Sequence, residues 1–132
     1  QVAVSAGATG ATDVTGFGLL GHLGKMTLTS NVEAVLDVAN IAFLPGAKLY
    51  AEDGVIPGGT RRNLAWVEDQ IDAGAYSETD LLLLADAQTS GGLIFGVDKA
   101  KTDSTCAELN ERGVAAVAIG ETHAGAGTIR LR

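Results

Sequence analysis

The segment Ala11–His22, ATDVTGFGLLGH, holds the chain's densest grouping of residues suited to chemistry. Gly16, Gly18 and Gly21 fall at the spacing of a dinucleotide-binding fingerprint, and Asp37 lies near the end of the next predicted strand, where a ribose-binding acid would stand. Asp13 argues for a different use. It sits on the strand before the turn, where a bare carboxylate would repel an incoming pyrophosphate. Magnesium removes that repulsion, because it takes one or two carboxylates together with substrate phosphate oxygens. Asp13 is therefore a candidate ligand for a metal-bridged nucleotide. Hydroxyls from Thr12 and Thr15 lie beside it, and the positive end of a helix starting near Gly18 points at the same place. A local role is equally open, in which Asp13 caps the turn by accepting from the Val14, Thr15 or Gly16 amides.

Other residues are weighed against structural roles. Arg61 and Arg62, the only adjacent basic pair, stand at a predicted helix start, where they could contact phosphate or form ion pairs with nearby acids. The amides of Thr89-Ser90-Gly91-Gly92 could wrap an anion, but such a turn also lets a strand start close against a neighbour, and packing is the expected role. Neither His22 nor His123 has a second His or Cys at zinc spacing. His22 is expected to make structural hydrogen bonds on the first helix, and His123 to face solvent. Trp66 reads as core or interface rather than a base-stacking platform, and Cys106 as a small packed residue on a helix.

The elements that must position these residues follow from periodicity and punctuation. Thr9–Thr15 reads as a strand that turns at Gly16-Phe17-Gly18 into a helix bearing Leu19, Leu20, Leu23 and Met26. Val32–Val38 is a second predicted strand after the Ser30-Asn31 turn signal, and Pro45 to Asp53 a helix closed by Gly54. Thr60 is placed as the cap of a helix through Val67, and Ser77 with Asp80 as a capping box opening Leu81–Leu84. Strands are predicted at Gly92–Val97, Val114–Ile119 and Thr128–Leu131, with an amphipathic helix at Lys99–Arg112 ended by Gly113. Helices and strands mix without strict alternation, which gives a single α+β domain with a mixed sheet rather than a doubly wound fold.

Bulk properties bound the function. The 132 residues suit one domain, and 9 basic against 16 acidic residues give a net charge of −7, which argues against non-specific nucleic-acid binding. The longest apolar runs, Leu81–Ala85 and Val114–Ile119, fall far short of the roughly 20 residues of a membrane span. Gln1–Ala11 carries no leader pattern, and an initial Gln fits a processed or cut chain. A lone cysteine fits a reducing compartment, so a cytoplasmic location is expected.

Taken together, ATDVTGFGLLGH at Ala11–His22, GVIPGGTRRN at Gly54–Asn63 and DAQTSGGL at Asp86–Leu93 resemble the selenophosphate synthetase (selenide, water dikinase) family. That family belongs with the aminoimidazole ribonucleotide synthetase-like enzymes. The resemblance runs from about Ala11 to the C-terminus and matches only the family's C-terminal half, whose fold is α+β. It implies a reaction that converts ATP, selenide and water to selenophosphate, AMP and orthophosphate with Mg2+, in a homodimeric full-length enzyme. Asp13 matches a magnesium-ligating aspartate; Thr15, Gly16 and Gly18 match the same motif and take a phosphate-facing or turn-forming role. The reactive Cys or selenocysteine, its partner Lys and the ATP-binding glycine segment belong to the family's N-terminal half. The isolated chain is accordingly expected to be inactive and to need its own N-terminal domain as partner. Ala87 replaces the usual Pro of the third motif, which loosens a turn. The alternative is a nucleotide-binding or interaction module of a sister ATP-dependent synthetase without selenium chemistry.

Overall fold

A computed structural model describes residues 1–132. Its elements run α1 (Val2–Ser5), β1 (Gly10–Asp13), α2 (Gly18–Ser30), β2 (Val32–Leu36), α3 (Ala47–Glu52), α4 (Gly58–Val67), β3 (Ile71–Asp72), α5 (Glu78–Leu84), β4 (Leu93–Gly96), α6 (Thr102–Glu111), β5 (Gly120–Ala124) and β6 (Ile129–Leu131). The fold is α+β, as its mixed element order required.

Four strands form a mixed sheet in the order β3-β6-β2-β5, and β1 pairs with β4 as a separate two-stranded ribbon. β2 runs antiparallel to β5 and parallel to β6, and β3 runs parallel to β6. A dinucleotide-binding fold is thereby excluded. That fold needs the strand before the glycine turn and the strand after the helix in one parallel sheet, whereas β1 and β2 lie in different sheets.

The core is aliphatic, as the shortage of aromatic residues dictates. Leu20 and Leu23 of α2, Leu64 and Val67 of α4, and Leu82 and Leu84 of α5 pack onto Ala34 and Leu36 of β2 and Ile129 and Leu131 of β6. α2 ends where Asn31 adopts the left-handed conformation with φ 51°, a position that asparagine tolerates better than most residues. Ser77 and Asp80 form the expected capping box at α5: the Ser77 hydroxyl accepts from the Asp80 amide at 3.2 Å, and the Asp80 carboxylate accepts from the Ser77 amide at 3.0 Å.

Two expectations are corrected. Val114–Ile119 is not a strand; the strand in that region is β5, which begins at Gly120. Side chains take up the backbone groups a ladder would have used. Asn110 accepts from the Ala116 amide at 3.2 Å and donates to its carbonyl at 2.9 Å, and Asn40 donates to the Ala118 carbonyl at 3.0 Å. Nor does Thr60 cap α4. Pro57 holds the cap position with φ −60°, already set for a helix start, so α4 begins at Gly58 and Thr60 lies buried in its first turn.

Candidate functional site

β1 carries Asp13 to its end, opposite Leu93 of β4. Pairing continues one residue further, where the Val14 amide donates to the Gly92 carbonyl at 2.8 Å. The chain then turns through Thr15, Gly16 and Phe17 into α2. The Thr15 carbonyl accepts both the Gly18 amide and the Gln88 amide at 3.0 Å. Gly18 has φ +69°, and a Cβ there would lie 2.5 Å from the carbonyl carbon and oxygen of Ala85. Only glycine satisfies both the backbone angle and this approach. Gly91 is constrained by space alone, since a Cβ would stand 1.9 Å from the Val14 carbonyl oxygen. Within the exposed segment Thr89–Gly92, Gly91 and Gly92 lie against the turn through the Val14 backbone.

A second segment closes the turn from α4. Asn63 donates from Nδ2 to the Gly16 carbonyl at 2.9 Å and to the Ala85 carbonyl at 3.0 Å. The buried Thr60 hydroxyl donates to the Asp86 carboxylate. Ala11–His22, Gly54–Asn63 and Asp86–Leu93, remote in sequence, therefore meet around one glycine turn. Composition and periodicity gave no sign of Asn63 or Asp86 as members of the site; their presence in the second and third motifs was the available signal.

His22 braces the turn from inside. Its Nε2 accepts the Thr15 amide at 3.1 Å and lies 3.1 Å from the Thr15 hydroxyl, while Nδ1 is 3.4 Å from the Thr12 hydroxyl. Asp13 makes none of the capping bonds to the Val14, Thr15 or Gly16 amides that were open to it. The Thr15 amide goes to His22 and the Val14 amide to Gly92, and the exposed Asp13 carboxylate makes no hydrogen bond or ion pair within the chain.

The remaining candidates are placed as follows. The Thr15 hydroxyl turns inward to His22, Gly18 is packed under Ala85, and Gly16 presents exposed backbone. α2 opens on Phe17 without a side-chain cap and without an acid in its own first turn, so its leading amides and positive dipole end are not answered from within the helix. Arg61 faces Glu78 at 3.8 Å across an exposed pair, and Arg62 is exposed. Trp66 lies on the surface, its ring 6.1 Å from that of Phe17. His123 is exposed and 3.8 Å from the Glu121 carboxylate, and Cys106 is half-buried on α6.

No three His, Cys, Asp or Glu side chains converge tightly enough to hold a metal by themselves. What the site offers is one free carboxylate, a hard oxygen donor. That suits magnesium as a single protein ligand whose remaining positions are filled by phosphate, water or another domain.

The chain is thus an α+β domain in which a glycine turn between β1 and α2 presents the Asp13 carboxylate. The family model described as AIR synthase related protein, C-terminal domain, matches residues 1–131, and the chain belongs to that family. Within it, the chain is similar to proteins named selenide, water dikinase. That of Carboxydothermus hydrogenoformans is 41% identical over 121 residues, 91% of this chain and 35% of that protein. That of Porphyromonas gingivalis is 44% identical over 108 residues, 82% of this chain and 31% of that protein. A relative from Geobacter is 38% identical over 130 residues, 97% of this chain and 37% of its own length. The chain thus spans about a third of the length of these relatives.

Proposed function

We propose that this domain is the C-terminal part of a selenophosphate synthetase, in which ATP, selenide and water yield selenophosphate, AMP and orthophosphate. The observation that carries the reading is the convergence of the three motif segments on a turn that holds Asp13 exposed and free of intrachain partners. Asp13 supplies one ligand to Mg2+, and the metal, when bound, screens the phosphate charge of ATP. The chain's own residues do the rest by position. Gly18 and Gly91 allow the close approach of the backbone, Asn63 holds the turn, and the uncapped end of α2 faces the anion near Gly16 with favourable potential.

The remaining ligands and the nucleophile come from a preceding domain of the same protein. Exposed apolar surface supports such a partner. A groove of about 550 Å3 lined by Leu19, Phe43, Leu44, Leu83, Ile94 and Val117 adjoins the site through Asp86 and Gly91, and patches of this kind mark surfaces that another domain covers. The full protein acts as a homodimer in the cytoplasm; no helix here is long and apolar enough to cross a membrane.

Phosphorus NMR of the intact protein with ATP, magnesium and selenide tests the reading. Selenophosphate, AMP and orthophosphate are the expected products. ADP as the only nucleotide product, or turnover indifferent to selenide, would contradict it and favour a sister synthetase of the same family.

A further inference from the structure

We infer that His22 is a positioning residue for the metal ligand: by accepting the Thr15 amide, it keeps the Asp13 carboxylate free to bind a divalent cation. The inference rests on the assignment of Asp13 as that ligand.

An aspartate two residues before an amide has a local option open to it, which is to fold back and accept that amide in an Asx-turn. Asp13 and Thr15 stand at this spacing. One N–H is thus within the reach of two acceptors, and a carboxylate that takes it is folded back onto the turn instead of pointing out toward a cation. In the structure the amide goes to His22 Nε2 at 3.1 Å. The α2 backbone holds the imidazole, and the Phe17 ring meets it edge-on with centroids 5.8 Å apart.

The bond also sets the tautomer. A nitrogen that accepts carries no proton, so the ring proton is on Nδ1. Nδ1 then donates to the Thr12 hydroxyl at 3.4 Å, and that hydroxyl donates to the Asp13 carbonyl at 3.2 Å. One imidazole therefore holds the Thr15 amide directly and the Asp13 carbonyl through the Thr12 hydroxyl, with no bond to the carboxylate. Loss of a group that orients a metal ligand from behind typically costs about 10–100-fold in metal affinity.

The test uses the intact protein and a fluorescent, non-hydrolysable ATP analogue, and reads the Mg2+ concentration at half-maximal binding of the analogue. His22→Ala is expected to raise that midpoint about 10-fold or more, the usual range for loss of a supporting partner behind a metal ligand. Asp13→Ala is expected to raise it at least as far, and the double variant no further than Asp13→Ala alone. His22→Gln, whose amide oxygen reaches the place of Nε2, is expected to restore a near-parental midpoint. His22→Asn, which reaches only the place of Nδ1, is not.

If Asp13→Ala raises the midpoint and His22→Ala leaves it unchanged, or if the two effects add in full, the inference fails and the metal role of Asp13 stands. If Asp13→Ala leaves the midpoint unchanged, both fail. Should His22→Ala not fold by circular dichroism, the Gln and Asn variants decide: equal midpoints overturn the inference, and a raised midpoint for Asn alone supports it.

Discussion

The side-chain amide of Asn63 lies 2.9 Å from the carbonyl oxygen of Gly16, so a residue on α4 fixes the backbone of a turn 47 residues earlier in the chain. The same nitrogen reaches the Ala85 carbonyl at 3.0 Å. Replacing Asn63 with Ala leaves the part-buried Ala85 carbonyl without its donor and removes a bond to the exposed Gly16 carbonyl that water can replace. The expected cost is about 1–3 kcal/mol. Asn63→Asp puts a carboxylate where a donor is required and is expected to cost more. Urea unfolding of both variants measures the difference.

Gly18 is the turn's least replaceable residue. A side chain there is opposed by φ +69° and by the Ala85 carbonyl 2.5 Å from the Cβ position. A left-handed angle costs about 1–2 kcal/mol for an L-residue, and overpacking adds about 1–3 kcal/mol. Gly18→Ala is therefore expected to destabilise by about 2–5 kcal/mol in the same assay. Gly16→Ala, with nothing within 4 Å of its Cβ position, is the matched control and is expected to fall within about 1 kcal/mol of the parent.

How far the sequence foretold this arrangement depends on the range over which each feature is decided. The α5 cap was readable because Ser77 and Asp80 are three residues apart and satisfy each other locally. The turn at Gly16-Phe17-Gly18 was readable for the same reason. Val114–Ile119 misled because apolar β-branched residues look alike in a strand and in an extended edge. What decides between the two is the ladder partner, and here Asn110 and Asn40 occupy the backbone groups. Asn63 and Asp86 were invisible as site residues because their partners, Gly16 with Ala85 and Thr60, lie more than twenty positions away. His22 was legible as a structural hydrogen bonder; the identity of the amide it takes, and hence its bearing on Asp13, was not.

A second region adds one acid-sensitive contribution to the stability of the fold. Glu121 on β5 meets Lys99 at 2.8 Å and Arg132 at 3.1 Å, and these cations hold its carboxyl at about 2, below the ordinary 4.5. A group with a depressed folded pKa contributes stability that is present above the unfolded value and is lost as pH falls through the folded one. The contribution of Glu121 is thus complete above about pH 4.5 and fades between there and about pH 2. Both cations are solvent-exposed, so added salt is expected to shrink the effect. In thermal melts across that interval, Glu121→Gln is expected to flatten the acid decline, and a slope equal to the parent's would refute the assignment.

The account turns on one carboxylate. Asp13→Asn keeps the shape of the side chain and removes the charge that magnesium requires, without touching the bonds made by His22, Asn63 or Gly18. Phosphorus NMR of the intact protein and this variant, each given ATP, magnesium and selenide, compares the two directly. The parent is expected to form selenophosphate with AMP and orthophosphate, and the variant to form all three about 100-fold more slowly or not at all. Equal rates in parent and variant would contradict the metal role of Asp13 and leave the convergent turn a purely structural junction.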